Sequence, residues 1–168
     1  MQPDGHCVFR AIAHAVLDHQ DDWNDIRTSP LNHLESYGED DANPHVLAAG
    51  TNFRELKDSL ECRAAEGAPR SQWFNDTWHG QLVTDFYNVF VVSAEKVGGT
   101  KVLIRAPTGF ASVNAVLDTI RSGYLLIGLL FDRNCEHFYA LEFSTRARAL
   151  LVDREYSMVP AVINQCLG

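Results

Sequence analysis

One cysteine in this chain stands where a helix begins. The run Asp4-Gly5-His6-Cys7-Val8-Phe9-Arg10-Ala11 sets a turn directly before an apolar, helix-period stretch, so Cys7 falls in the first helical turn. The partial positive charge and free N–H groups of a helix N-terminus stabilise a thiolate, pulling its pKa below the free value of about 8.5. Backbone N–H groups around Gly5, His6 and Cys7 can also hydrogen-bond the oxyanion formed when that thiolate attacks a carbonyl. Gly5 lets the backbone turn so that these groups face outward. The competing reading is a small buried side chain, a common fate of free cysteine. Position alone leaves the two readings level.

A nucleophilic cysteine needs a base, and the chain has seven histidines. His14 and His19 sit on or near the first helix, and His33 and His45 lie in polar surroundings, so these four read as surface side chains. His137 differs. It follows a short polar link and opens an apolar strand, the kind of rigid placement beside a core that a catalytic base requires. Cys135 lies two residues from His137 but lacks a second ligand pair at recognisable spacing, so zinc is rejected and no metal or cofactor is expected. Cys62 and Cys166 read as structural, and all four cysteines as free thiols.

The elements that must hold these residues follow from the apolar spacing. Val8, Ile12 and Val16, flanked by Phe9, Ala13 and Leu17, form one helical stripe ending near Gln20. A second helix is predicted over Trp23 to Tyr37, interrupted near Pro30, and Gly38 to Asn43 is predicted to be a loop. Thr51 is the expected N-cap of a helix running through Phe53, Leu56 and Leu60 to about Ala65, broken by Gly67-Ala68-Pro69. A short helix over Gln81 to Tyr87 precedes strand-like runs at Val89 to Ser93, Lys101 to Arg105 and Tyr124 to Asp132, with a helix at Ser112 to Arg121 between the last two. His137 to Phe143 pairs with the preceding strand through Arg133-Asn134-Cys135-Glu136, an antiparallel hairpin. Ala149 to Val152 and Val159 to Ile163 are ambiguous. Helices first and a mixed sheet after them make an α+β fold.

The chain has 168 residues, one domain by length, and carries 14 basic against 22 acidic residues for a net charge of −8. No stretch is basic enough to form a nucleic-acid stripe, so nucleic acid is excluded as a partner. The longest apolar run, Tyr124 to Phe131, is far short of the ~20 residues that span a bilayer, so no membrane partner is expected. The first residues have neither the basic region nor the apolar stretch of a secretory signal, and an intracellular, cytoplasmic monomer is expected. With its candidate nucleophile at position 7, the domain is expected to have been cut from a larger protein or polyprotein.

The Asp4 to Ala11 run resembles the D-G-x-C-x-[FY]-R-A signature of the ovarian tumour (OTU) family of cysteine proteases, which are deubiquitinases. Thr77-Trp78-His79-Gly80-Gln81-Leu82, followed by a helix and the strand Val89 to Val92, resembles the family's W-G-x-x-x-E-L block. His137-Phe138-Tyr139-Ala140-Leu141 resembles its H-[YF]-x-x-L strand. Three blocks in the family's order span Asp4 to Leu141, about four fifths of the chain.

The resemblance implies a papain-like fold in which Cys7 is the nucleophile and His137 the base. It implies cleavage after the Gly-Gly C-terminus of ubiquitin or a ubiquitin-like protein, through a channel too narrow for side chains. Trp78 and Glu136 are the candidate substrate contacts, Trp78 being equally readable as core. His79 alters the family's glycine turn and reads as a turn residue rather than a second base. Where relatives place Asp or Asn two residues after the histidine, this chain has Tyr139. Asp4 is the favoured third member, with Asn134, Glu136, the Tyr139 hydroxyl or a Cys–His dyad as the alternatives. Two other activities remain open on the same fold: a polyprotein-processing protease and a non-catalytic ubiquitin-binding module.

Overall fold

A computed structural model describes residues 5–61, 67–96, 100–110, 112–132, 137–141, 157–159 and 162–167. The chain divides into two compact units, Met1–Tyr87 and Asn88–Gly168.

The first unit is helical. Helix α1 (Cys7–Leu17) buries Val8, Phe9, Ile12 and Ala13, the predicted stripe, but the stripe fades at its end: Val16 is half-buried and Leu17 is exposed. The helix stops three residues before the predicted Gln20, at Asp18, which takes a left-handed conformation. Helix α2 (Trp23–Ser36) runs through Pro30 without interruption. A proline inside a helix costs about 3 kcal/mol. Here the apolar stripe Ile26, Pro30, Leu34 is buried as a unit at one-turn spacing, and burying Ile and Leu returns about 1.5–3 kcal/mol each.

The loop after α2 is tied down by Asn43, whose side-chain amide donates to Leu34 O (2.6 Å) and Gly38 O (2.8 Å). Asn43 also caps helix α3 (Pro44–Ala49), its side-chain oxygen accepting from the His45 N–H. Sequence periodicity did not register this six-residue helix. Helix α4 (Phe53–Leu60) is capped by Asn52, which accepts from the Glu55 N–H at 2.9 Å. The expected cap, Thr51, donates its hydroxyl to the Glu55 carboxylate instead.

Helix α5 (Asp76–Tyr87) begins five residues before the predicted start. Asn75 accepts from the Thr77 N–H (2.9 Å) while its own N–H donates to His79 Nδ1 (2.9 Å), a reciprocal pairing that closes the first turn. Trp78-His79-Gly80 is therefore helix, not a turn leading into one.

The second unit is a six-stranded mixed sheet of order β4-β3-β1-β2-β6-β5, built from β1 (Phe90–Lys96), β2 (Thr100–Arg105), β3 (Leu126–Asp132), β4 (His137–Leu141), β5 (Ser157–Val159) and β6 (Val162–Leu167). Central strands β1 and β3 run parallel, and the other neighbours run antiparallel. Helix α6 (Val113–Arg121), capped by Ser112, lies between β2 and β3 in the chain and buries Val116 and Ile120 with Phe90, Val92, Ile104 and Leu126. The predicted hairpin forms: Asp132 pairs with His137 and Leu130 with Tyr139. Of the two ambiguous segments, the second divides between β5 and β6, and Ala149 to Val152 lies outside the described residues.

Candidate active site

Cys7 is the first residue of α1, buried, and in no disulfide. The preceding turn positions it. Gly5 has φ +79°, a left-handed conformation that only glycine takes without strain. The indole of Trp73 lies directly against it and donates Nε1–H to Ala68 O at 2.8 Å. Any side chain at position 5 would meet that ring.

His6, the residue between, is fully buried at the N-cap of α1 without capping the helix through its side chain. Its ring is held from two positions one turn apart on α2. It stacks on Trp23 at 3.8 Å between centroids, and its Nδ1 accepts from an Arg27 N–H at 2.9 Å. Arginine has no lone pair to accept with, so Nδ1 is the acceptor and the ring proton sits on Nε2. The His6 carbonyl in turn accepts from the Arg10 N–H at 2.9 Å, the first bond of α1. The carbonyl of the His6–Cys7 peptide is thus held by α1 and the His6 side chain by α2.

Arg27 is the hub of this arrangement. Fully buried, it also donates to Ser59 O, to Leu60 O (3.2 Å) and to Gln72 O, and its guanidinium lies 4.7 Å from the Phe9 ring centroid. Ser59 and Leu60 belong to the last turn of α4, where carbonyls lack intrahelical donors and the helix dipole favours a cation. A charge that would be costly to bury alone is accommodated by oxygen acceptors that would themselves be unsatisfied without it.

His79 belongs to the same core. Its Nδ1 accepts from Asn75, so Nε2–H donates to Ser59 Oγ (2.8 Å), and the Ser59 hydroxyl donates to Leu56 O. Burial first, and the Arg27 charge second, push its pKa down to about 3. A ring that neutral, with both nitrogens committed to hydrogen bonds, is no base for Cys7.

The remaining expected site residues are placed less completely. Trp78 is the third residue of α5, half-buried, with its ring edge-on to His79 at 6.4 Å. His137 opens β4 in the second unit, with its backbone paired to Asp132. Asp4, Glu136, Asn134, Cys62 and Cys135 lie outside the described residues, and the side chains of His137, Tyr139 and Cys166 do too. His14 and His19 are exposed as expected and His33 is half-buried. The surface reading of His45 is corrected: it is buried, with Nδ1 3.8 Å from Asp85. Burial lowers its pKa, Asp85 pulls it back up, and His33 pushes it down again. Sequence reasoning missed the roles of Arg27, Trp73 and the His6 ring. The only signal for them was the Trp23/Arg27 spacing of one helical turn.

Among the described residues, no group of three or more His, Cys, Asp or Glu side chains could hold a metal ion, and no helix is long and apolar enough to cross a membrane.

Helices leading into a mixed sheet, with a cysteine at the head of the first helix, make the fold that of the OTU-domain proteases. The chain is similar to the viral OTU domain protease from Dera Ghazi Khan virus, with a TM-score of 0.57 over 86% of this chain and 78% of that one at 12% identity. It aligns with the OTU domain of OTUD1 at a TM-score of 0.47 and 17% identity, over 83% and 81% of the two chains. No protein-family model matches the sequence, and no curated protein does.

Proposed function

We propose that this protein is a cysteine-type deubiquitinase that cleaves peptide or isopeptide bonds after the C-terminal Gly-Gly of ubiquitin or a ubiquitin-like modifier, acting as a monomer inside the cell. The observation that carries the reading is the D-G-x-C turn itself, with Cys7 as the first residue of α1 and the turn locked by Trp73 and His6. The likeness in fold to a viral OTU domain protease supports it.

In the proposed reaction the Cys7 thiolate attacks the carbonyl carbon of the terminal glycine. Negative charge collects on the carbonyl oxygen, where the N–H groups of the Gly5–Cys7 turn receive it. His137 takes the thiol proton and delivers it to the leaving amine as the C–N bond breaks, leaving a thioester on Cys7. Water, deprotonated by the same imidazole, then releases the free carboxylate. Asp4 orients the His137 ring by accepting its second N–H. Trp78 and Glu136 contact the substrate.

Hydrolysis of a fluorogenic amide on the ubiquitin C-terminus tests the reading. Wild type should turn over, and Cys7→Ala and His137→Ala should each lose at least about 1,000-fold in kcat while melting within a few degrees of wild type. A wild type inert toward ubiquitin and ubiquitin-like amides, but whose Cys7 reacts with small electrophiles, would overturn the substrate assignment and leave a protease of other junctions.

A further inference from the structure

The His6 ring is an unexpected object to find fully buried beside a nucleophile: a polar side chain that neither caps its helix nor faces out. Its two grips, the Trp23 stack and the Arg27 hydrogen bond, come from residues four apart on α2. Arg27 is in turn anchored to α4 and to a short 3-10 turn, Arg70–Gln72, by three backbone carbonyls. We propose that Arg27, acting through the His6 ring, is a positioning residue that aims the N–H groups of the Gly5–Cys7 turn at the oxyanion. The inference rests on Cys7 being the nucleophile, as proposed above, but not on ubiquitin being the substrate.

The physical reasoning is preorganisation. An N–H group stabilises a developing oxyanion only if it already points there, and losing one such donor costs about 100- to 1,000-fold in rate. The His6–Cys7 peptide carries the Cys7 N–H. Its carbonyl end is fixed by Arg10, leaving rotation about the His6 backbone as the freedom to be removed, and the clamped ring removes it. Displacement of that N–H impairs acyl transfer, which passes through an oxyanion. It leaves simple alkylation of the sulfur intact, because that reaction forms none.

Two reactions of Cys7 separate these effects without ubiquitin. With p-nitrophenyl acetate the thiolate sulfur adds to the carbonyl carbon, charge builds on oxygen, and p-nitrophenolate leaves to give an acetyl thioester. With iodoacetamide the S–C bond forms as iodide departs, and no oxyanion appears. His6→Phe keeps the stack on Trp23 and deletes the acceptor. It should slow acylation at least about tenfold while the alkylation rate at pH 9 stays within about twofold. His6→Asn returns an acceptor near the Nδ1 position and should recover most of the loss. If His6→Phe does not fold, Arg27→Lys, which keeps the charge and surrenders the fork, carries the same expectation. Acylation and alkylation falling together, neither falling, or a wild type acylated no faster than Cys7→Ala would each overturn the proposal. Acylation of wild type with the predicted His6→Phe defect, but no cleavage of ubiquitin amides, would sustain it while removing the deubiquitinase reading.

Discussion

The Trp73 indole presses on Gly5 so closely that a β-carbon built on the glycine would lie 2.3 Å from Trp73 Nε1 and 2.5 Å from Cδ1. A residue 68 positions away thereby enforces the turn that presents Cys7. Gly5→Ala meets two penalties, left-handed backbone strain of about 1–2 kcal/mol and overpacking of about 1–3 kcal/mol. It should lower unfolding stability by roughly 2–5 kcal/mol in urea titrations and abolish turnover. Trp73→Ala relieves only the second penalty, so the double variant should be less destabilised than the sum of the two singles. Strict additivity, or a Gly5→Ala protein as stable as wild type, would contradict the clamp.

His79 predicts an acid sensitivity. Its folded pKa, pushed down to about 3, lies below the ordinary value of 6.5, so the unfolded chain binds a proton that the folded one refuses between those limits. Stability is therefore complete above about pH 6.5 and falls as pH drops toward 3, by up to ~1.4 kcal/mol per pH unit. From pH 7 to pH 5 the loss from this ring comes to roughly 2 kcal/mol. His45, also lowered, adds in the same direction. His79→Gln keeps a donor for Ser59 but cannot titrate. Its urea-derived stability should start below wild type at pH 7 and converge on it by pH 5. Parallel curves would show that His79 is not the titrating group.

How much of this could be read from residues alone follows from the range of the forces involved. Cys7 at a helix start was legible because the turn and the apolar stripe are local. The β3–β4 hairpin was legible because two apolar runs flank a four-residue polar link. Helix α3 escaped because six residues are too few for a period, and only Asn43-Pro44 and Gly50 mark its ends. The continuity of α2 escaped because the local penalty at Pro30 is outweighed by burial of Ile26 and Leu34, which sequence spacing does not weigh. The α5 start escaped because the reciprocal cap is closed by a histidine, one position later than the usual Glu or Gln. The clamp on the active turn was least legible of all: Arg27 meets His6, Trp73 meets Gly5, and Ser59 and Gln72 meet Arg27 only through tertiary folding.

Tyr139 is the largest departure from the OTU pattern the sequence resembles, standing where that pattern has an acid or amide two residues after the histidine, and Asp4 is the proposed replacement. If the Asp4 carboxylate accepts the His137 ring N–H, it stabilises the imidazolium more strongly than a neutral acceptor could. Asp4→Asn should then lower kcat at least about tenfold with KM and melting temperature little changed. Unchanged kcat would assign the acid's task elsewhere, to Asn134 or to a dyad without a third member.

If Cys7 is a nucleophile addressed by the C-terminus of ubiquitin, ubiquitin bearing an electrophile at its C-terminus must react with it. Incubating the protein with that probe and mapping the adduct by mass spectrometry should give a single covalent adduct on Cys7, absent in Cys7→Ala. An adduct on Cys62, Cys135 or Cys166 that persists in Cys7→Ala, or no adduct on wild type, would contradict that role for Cys7.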